Sequence, residues 1–359
     1  NADIYGIENI CQLVRWWNGE KILDTTKVNI DEFFAYNKSE HKIDMSDVKG
    51  QEAVKRAMEI AAAGGHNLLM IGSPGSGKTM LARRMVTILP PMTLQESLAT
   101  TRIYSVAGEL PAGRALVTER PFRTPHHTSS AASVIGGGRI PRPGEVSLAN
   151  NGILFLDEMP EYSRDVLEAL RQPLEDKVVT ISRVNGKMEY SASFQLIGAM
   201  NPCPCGYLGD PYHPCGCTPN QVERYLSKIS GPLLDRIDML INVQRVKYDE
   251  INDKSEGESS ELIRQRVVAA RKLQENRFGG EGVFCNANLS RKQMLDCCRL
   301  TDAADGLMKE AFRKFHLSAR SYDKILKVGR TVADLAKSEH IDVVHIAEAL
   351  QYRSLDWEK

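Results

Sequence analysis

One eight-residue segment has the residue types and spacing of a phosphate-binding loop. It reads Gly72-Ser73-Pro74-Gly75-Ser76-Gly77-Lys78-Thr79 and fits the pattern G-x-x-x-x-G-K-[ST]. Glycines allow backbone N–H groups to turn toward a β-phosphate at the start of a helix, where the helix dipole favours anions. Lys78 is expected to bridge the β- and γ-phosphates, and the Thr79 hydroxyl to coordinate Mg²⁺. The segment therefore predicts a site for ATP and Mg²⁺ that extends to Met80, rather than a chance Gly-rich turn.

Three polar residues that follow later apolar runs supply the other parts of a hydrolytic site. Asp157 and Glu158 end one such run. We expect Asp157 to complete the Mg²⁺ shell and Glu158 to polarise the attacking water. Asn201 ends the next run, and its amide is expected to orient that water and to sense the γ-phosphate. The simpler alternatives are an ordinary acidic strand end and, for Asn201, a turn residue before Pro202.

Half of the eight cysteines lie within 15 residues and suggest a metal site. They are Cys203, Cys205, Cys215 and Cys217. Two thiolate pairs that close a short loop suit tetrahedral Zn²⁺, so we predict a structural zinc site, with His213 as an alternative ligand. Free thiols and a redox disulfide remain open. For the adjacent His126 and His127 we expect a structural role rather than a metal, because neighbours on a strand point to opposite faces.

Basic residues in two segments are candidates for contacts with nucleic acid. The first segment alternates on both sides of Asn185-Gly186, which predicts a β-hairpin with a type I′ turn. The second contains the flexible run 136–138. The candidates are Arg183 and Lys187 in the first segment and Arg139 and Arg142 in the second. The alternatives are a surface hairpin whose lysine serves solubility and a loop without function.

The elements that position these residues can be predicted from hydrophobic periodicity. Apolar runs of strand length at 67–71, 152–156 and 194–200 alternate with helical patterns at 79–89 and 165–174, which predicts an α/β fold with a parallel sheet covered on both faces. A helix is also expected to start at 44–51, with a polar cap. After residue 246 a polar linker leads to an all-α region. Its helical spacing is carried by Ile263, Val267, Ala270 and Leu273, by Leu307, Ala311, Phe312 and Phe315, and by Tyr322, Ile325, Leu326, Val332 and Leu335, with Ser318 and Asp342 as N-caps.

Length and composition exclude several classes of protein. The chain has 359 residues, 46 basic and 46 acidic, so the formal net charge is zero and a polyanion would need a local basic patch. Apolar residues make up 42%, which excludes a wholly disordered chain. No run approaches 18 apolar residues, so we expect no membrane segment. The start is neither a signal peptide nor an initiator Met, and we expect a cytoplasmic fragment whose upstream part is missing.

Taken together, these motifs resemble the AAA+ ATPases of the magnesium-chelatase-like group, specifically the bacterial ComM/YifB family. The resemblance runs from about residue 44 to the end of the chain. Beside the phosphate-binding loop, it rests on the segments 120–127, 141–145, 154–158, 201–206 and 231–238. The family usually carries a Lon-protease-like domain upstream, and we expect only a remnant of it and a linker in 1–43.

The resemblance implies an AAA+ P-loop αβα sandwich at 44–246 and an α-helical lid domain at 247–359. Within the core it implies a helix-two insert around 128–143, a pre-sensor hairpin at 178–194 and a Cys-rich loop at 202–218. It further implies a homo-oligomeric ring, expected to be a hexamer, with ATP held between subunits. Arg236 matches the arginine that a neighbour supplies in trans, and Arg320 matches the second sensor, in cis or in trans. A solvated or ion-paired arginine is the alternative for both.

The predicted function is that of a bacterial ATPase that moves on single-stranded or branched DNA. The resemblance implies helicase or branch-migration activity in recombination during natural transformation. One alternative is a chelatase-type ATPase that remodels a protein partner for metal insertion. A nucleotide switch that only docks partners is a second alternative, but it would not need Asp157, Glu158 and Arg236 together.

Overall fold

The computed structural model describes residues 3–7, 9–20, 23–25, 43–110, 114–138, 141–183, 186–246, 248–251, 257–278 and 285–353. The chain divides into two compact units, Asn1–His41 and Lys42–Lys359. In the first unit the described residues form one helix, Ile10–Trp17, whose start is capped by the Asn9 side chain. The second unit holds all the candidate site residues that the structure describes.

A five-stranded parallel sheet forms the centre of the second unit. In chain order, the strands described are β1 (Leu68–Ile71), β2 (Phe122–Arg123), β3 (Gly136–Gly137), β4 (Arg142–Pro143), β5 (Ile153–Leu156), β6 (Val178–Arg183), β7 (Gly186–Ser191), β8 (Gln195–Met200) and β9 (Met239–Asn242). The large sheet has the order β2-β5-β8-β1-β9, and all its neighbouring strands are parallel. Strands β3 and β4, and β6 and β7, form separate antiparallel pairs.

Helices cover both faces of the sheet. Those of the α/β part are Glu52–Gly64, Lys78–Ile88, Leu94–Ala107, Ala131–Ile135, Glu145–Leu148, Arg164–Ala169, Arg171–Asp176, Pro219–Leu226 and Gly231–Leu234. Side chains alternate along β1, so Leu68 and Met70 join one hydrophobic cluster while Leu69 and Ile71 join the other. β1, β5 and β8 are buried throughout. The predicted α/β sandwich is confirmed.

The chain beyond residue 246 is helical, as predicted. Its helices are Tyr248–Ile251, Ser260–Phe278, Arg291–Cys297, Asp302–Lys314, Ala319–Leu335 and Val343–Gln351. The side chains of Ser318 and Asp342 cap the last two helices, as expected. This region shares a hydrophobic cluster with the sheet, through Ile263 and Val267 among others. No helix in the described ranges combines the length and the apolar character that crossing a bilayer requires.

Two predicted helices differ from the structure in their bounds. The pattern at 165–174 predicts one helix, whereas the structure has two, Arg164–Ala169 and Arg171–Asp176. Pro173 has no N–H to donate to the carbonyl of Ala169, and its ring crowds that carbonyl, so the helix breaks there. The polar cap at Asp44 starts only a short 3₁₀ turn, and the long helix begins at Glu52.

Some residues assigned to the apolar stripe of the lid helices face solvent. Leu273, Phe312 and Phe315 are 41%, 43% and 51% exposed. Next to Leu273, the fully buried Gln274 continues the buried stripe instead, because its side chain donates to the carbonyl of Ala63 and accepts from the backbone of Asn286. Helical spacing therefore located the helix correctly but missed a buried polar residue.

The predicted hairpin is present, with its turn shifted by one residue. Arg183 pairs with Gly186, so Gly186 belongs to β7 and the two-residue connection is 184–185, which lies outside the described residues. Lys187 pairs with Ser182, one position below the closing pair, and is exposed. Because Gly186 is paired within β7, Asn185-Gly186 does not supply the two central residues of the turn.

Candidate active site

The phosphate-binding loop (72–79) connects β1 to the helix Lys78–Ile88, as the sequence predicts. Gly75 and Gly77 have φ angles of +77° and +90°, which a residue with a Cβ adopts only under strain. A Cβ on Gly72 would lie 2.2 Å from the carbonyl oxygen of Val243, so the loop starts in close contact with the chain that leaves β9. Met80, the last predicted contact, lies in the first turn of the helix.

Lys78 lies among the groups that the sequence assigned to the γ-phosphate. Its Nζ donates to the carbonyl oxygens of Gly72 at 2.7 Å and Ser73 at 3.0 Å, and to Asn201 Oδ1 at 3.3 Å. Desolvation lowers the pKa of Lys78, and the charges of Asp157 and Glu158 oppose that shift. The structure thus brings Lys78, Asn201 and the acidic pair together at the carboxyl ends of β1, β5 and β8.

Thr79 and Asp157 form the oxygen pair expected for Mg²⁺. The Thr79 hydroxyl donates to Asp157 Oδ2 at 2.6 Å, across 78 residues of sequence. A hydroxyl and a carboxylate are hard oxygen ligands of the kind that Mg²⁺ takes together with the phosphates of a nucleotide. The residues present therefore fit the ion that the motif implies.

Glu158 extends from a strained turn toward solvent. Its φ is +50°, and its side chain is 60% exposed. Its carboxylate lies 3.5 Å from His127 Nδ1. The expectation that His126 and His127 lie on a strand is wrong: β2 ends at Arg123, and the two rings are 4.2 Å apart. β2 is parallel to β5 and adjacent to it, so residues that follow β2 lie near the end of β5. This strand order could have predicted that His127 lies near Glu158.

Arg236 and Arg320 lie together, away from the phosphate-binding loop. Both line a cavity of about 480 Å³. The Arg236 guanidinium donates to the Glu175 carboxylate and, at 2.7 Å, to the carbonyl oxygen of Pro232. Arg320 is 65% exposed and lies 3.5 Å from Asp235. We call this surface, formed by Glu175, Asp235, Arg236 and Arg320, the arginine face.

The arginine face lies at the opposite edge of the sheet from the phosphate-binding loop. The side chain of Asn67, which directly precedes β1, donates to the carbonyl oxygen of Arg236 at 2.8 Å. Lys78 comes after β1 has ended. β1 has four residues and spans about 13 Å. The structure therefore does not bring Arg236 or Arg320 to the Lys78 of the same chain.

Comparison with known proteins assigns the chain to a family. Residues 44–251 match the family described as magnesium chelatase, subunit ChlI, and residues 257–353 match its C-terminal domain. The chain belongs to the magnesium chelatase ChlI family. It is 42% identical over 357 residues to competence protein ComM of Haemophilus influenzae, covering 99% of this chain and 69% of that protein. It is 43% identical over 314 residues to the uncharacterized protein YifB of Salmonella typhimurium, covering 87% and 61%.

The family and the site geometry together indicate an AAA+-type ATPase of the ComM/YifB group. A third relative, the uncharacterized protein Rv2897c of Mycobacterium tuberculosis, is 40% identical over 352 residues, covering 98% of this chain and 68% of that protein. The chain thus spans 61–69% of the length of these curated relatives.

This ChlI-family chain also holds a compact group of thiols. The Sγ atoms of Cys203, Cys205, Cys215 and Cys217 all lie within 4.8 Å of one another, and three of the separations are 3.4, 3.6 and 3.7 Å. Four sulfurs at about 2.3 Å from a central zinc would be about 3.8 Å apart. None of the four forms a disulfide bond. Backbone N–H groups of Tyr207 and Gly216 donate to Cys205 and lower its pKa to about 6. The geometry fits a tetrahedral metal ion.

His213, the alternative ligand, contacts other groups. Its Nδ1 lies 3.5 Å from Asp210, and its ring stacks on Tyr207 with 5.0 Å between centroids.

The structure places those basic candidates that it describes on two separate antiparallel strand pairs. Lys187 and Arg142 are exposed, on β7 and β4 respectively. Arg183 ends β6, and Arg139 lies outside the described residues.

Proposed function

We propose that this chain is the ATPase part of a ring-forming motor that cleaves ATP between subunits and moves on DNA. The observation that carries the proposal is the placement of two incomplete half-sites at opposite edges of one sheet. One edge has Lys78, Thr79 and Asp157, and the other has Arg236 and Arg320. A neighbouring copy of the chain carries the half that each site lacks.

At the first edge, each residue has a separate task. The backbone of the phosphate-binding loop and Lys78 hold the β- and γ-phosphates, while Thr79 and Asp157 hold Mg²⁺. Mg²⁺ supplies charge neutralisation on the phosphates when it is bound. Glu158 orients and polarises the attacking water, and Asn201 fixes its position beside Lys78.

At the second edge, the arginines act on the ATP of the next subunit. Arg236 leaves Glu175 and stabilises the charge that develops on the transferring phosphoryl group, a contribution of about 10³–10⁵ in rate when an arginine acts in trans. Arg320 acts in trans from the same face. Because Arg320 starts a helix of the lid (247–359), its engagement couples the lid to the γ-phosphate. We propose a hexamer.

DNA contacts are assigned to the pre-sensor hairpin and to the insert. The hairpin β6–β7 precedes β8, and Asn201 directly follows β8, so nucleotide state and hairpin position are linked through one strand. A ring of subunits would concentrate positive charge, although the net charge of each chain is zero. The residues that supply this charge are Lys187, Arg183, Arg142 and Arg139. The name of the relative ComM, a competence protein, favours DNA uptake by transformation as the setting.

We further propose that the four cysteines hold a structural Zn²⁺. All four positions of a tetrahedron are filled by thiolates, which leaves none open for a reacting water. Zinc here shapes the loop after Asn201 and takes no part in hydrolysis.

The test is ATPase activity with and without single-stranded and branched DNA at several salt concentrations. We expect DNA to stimulate hydrolysis, less so at high salt, and we expect Lys187→Ala to lose that stimulation while its basal rate stays the same. Lys309→Ala is the matched control, since Lys309 is an exposed lysine on a lid helix. If DNA still stimulated hydrolysis fully in both K187A and R142A, the assignment of DNA contacts to these two strand pairs would be wrong.

A second candidate is a chelatase-type ATPase that remodels a protein partner for metal insertion, which the family description favours. Hydrolysis that is indifferent to every DNA tested, yet depends on Arg236, would support this candidate over the first.

A further inference from the structure

The Cys-rich loop (202–218) contacts the phosphate-binding loop directly. Gly206 has a φ of +85°, and a Cβ there would lie 2.6 Å from Pro74 Cδ. Both facts restrict position 206 to glycine. The ring of Pro74 therefore packs directly against the backbone of Gly206, next to the thiol group.

An acidic residue in the middle of the Cys-rich loop is buried in this contact. Asp210 lies five residues from Cys205 and five from Cys215, and its side chain is 1% exposed. Its Oδ1 accepts from the backbone N–H groups of Tyr212 at 2.9 Å and His213 at 3.0 Å. Its Oδ2 lies 3.2 Å from Arg245 Nε. A buried carboxylate is stable only while such partners stay in place, so Asp210 fixes Arg245.

Arg245 carries the contact to the residues that hold phosphate. Its Nε donates to Ser73 Oγ at 3.1 Å and its Nη2 donates to the carbonyl oxygen of Pro74 at 3.3 Å. The guanidinium also lies over the Tyr207 ring, 5.8 Å from its centroid. The carbonyl oxygen of Ser73 in turn accepts from Lys78 at 3.0 Å. A continuous set of contacts thus runs from the thiol group to Lys78.

We infer that metal bound by the four cysteines braces the phosphate-binding loop through Asp210 and Arg245, so that metal and nucleotide bind cooperatively. The inference rests on the proposed ATP and zinc sites. The two Cys-x-Cys pairs fix both ends of the segment that carries Asp210, and an unfixed segment would have to be ordered each time nucleotide binds. Asp210 and Arg245 are positioning residues, because they act on Ser73 and Pro74 rather than on the reacting atoms.

The experiment measures the Kd of a fluorescent ATP analogue with the whole chain, and the zinc content by atomic spectroscopy. We expect chain stripped of zinc by a thiol-specific mercurial and EDTA, then returned to reducing buffer, to bind about tenfold more weakly, and reloading with zinc to reverse the loss. Asp210→Asn and Arg245→Lys should weaken binding by a similar factor while zinc stays bound. Asp305→Asn is the control, since Asp305 pairs with Lys309 on an exposed surface of a lid helix.

The reciprocal effect of nucleotide on zinc affinity is a second measurement, and a misfolded variant would not reproduce it. If zinc tightens nucleotide binding, nucleotide must tighten zinc binding by the same factor, so at equilibrium with a chelator it should raise the fraction of chain that keeps its zinc, in the unmodified chain and not in D210N. Equal nucleotide affinity in the zinc-loaded, stripped and D210N forms would overturn the inference, as would a chain that takes up no zinc. The binding measurements contain no DNA, so a failure of the proposed DNA motor would be seen separately.

Discussion

Asp157 and Glu158 are adjacent carboxylates whose surroundings give them different tasks. Asp157 accepts from the Thr79 hydroxyl at 2.6 Å, where a metal ligand is needed, whereas Glu158 extends toward solvent beside His127. We predict that Glu158→Gln keeps ATP binding and lowers kcat by about 10²–10⁴, because the amide has the same size and no basicity. Steady-state hydrolysis and analogue binding, measured on the same preparation, check both parts.

Asp157→Asn is the matched comparison. Loss of a negatively charged ligand should weaken binding of the Mg²⁺ complex of ATP, which the Glu158 variant should leave intact. An E158Q chain that hydrolyses ATP at more than about a tenth of the normal rate would place the general base elsewhere.

At the scale of residues, the sequence located the groups that stand at the ends of apolar runs. Lys78, Asp157 and Asn201 follow three strands of one parallel sheet, and the carboxyl ends of such strands meet at one edge. The contact of His127 with Glu158 and the position of Arg245 were missed because both residues come from loops, where no periodicity indicates which way a side chain points. The arginine face was assigned by resemblance alone, and its distance from Lys78 required the strand order.

At the scale of elements, His66 joins the sheet to the lid and should make stability depend on pH. Its Nε2 lies 2.7 Å from the hydroxyl of Thr331, and the ring is fully buried. Desolvation lowers the pKa of His66 from 6.5 to about 4. Between these values the unfolded chain binds more protons, so stability is complete above pH 6.5 and is lost as pH falls toward 4.

The expected loss from this one group is about 3 kcal/mol across that window. Urea unfolding at a series of pH values measures it, with His66→Gln as the variant, because Gln keeps a donor and does not titrate. If the free energy of unfolding fell equally with pH in both chains between pH 6.5 and 4.5, His66 would not be the group that causes the loss of stability.

A buried ion pair in the lid gives a second prediction at this scale. Asp334 accepts from Arg330 Nε at 3.0 Å and from Asn286 at 2.8 Å, and both charged side chains are 1% exposed. Asp334→Ala leaves a buried guanidinium without its carboxylate and should cost about 3–5 kcal/mol of unfolding free energy. Asp305→Ala, which breaks an exposed pair, should cost less than about 1 kcal/mol. Equal shifts in the urea midpoint would contradict the burial argument.

Helices and strands were predicted well where one hydrophobic periodicity ran through the whole segment. They were predicted poorly where a single residue determined a boundary or a pairing. The strands that carry the site were placed to within a residue or two at their ends, because their burial leaves an uninterrupted apolar run. The break at Leu170 depends on one missing N–H at Pro173, and the hairpin register depends on pairing with the opposite strand. Pro173 was a signal in the sequence itself that hydrophobic periodicity does not register, whereas the hairpin register depends on a partner strand, which a periodic pattern does not contain.

At the scale of the whole molecule, the position of the arginine face predicts complementation between two inactive variants. On the proposed function, Lys78→Ala removes phosphate binding and Arg236→Ala removes the arginine that acts on the neighbour's ATP, so each alone should lose about 10³-fold or more in hydrolysis. In a mixture, an R236A subunit offers an intact phosphate-binding loop to the intact Arg236 of a K78A neighbour. With random assembly at equal amounts, about a quarter of the interfaces are complete, and activity should return toward that fraction.

The measurement is ATPase rate against mixing ratio, with subunit exchange followed by fluorescence transfer between labelled chains. Mixing K78A with K78A,R236A is the control, because no interface there has an intact loop. Recovery must peak near equal amounts, since complete interfaces require both kinds of subunit. If R236A alone hydrolysed ATP at the normal rate, or if co-assembled mixtures stayed inactive, the arginine would not act across a subunit boundary, and the opposed half-sites would need another explanation.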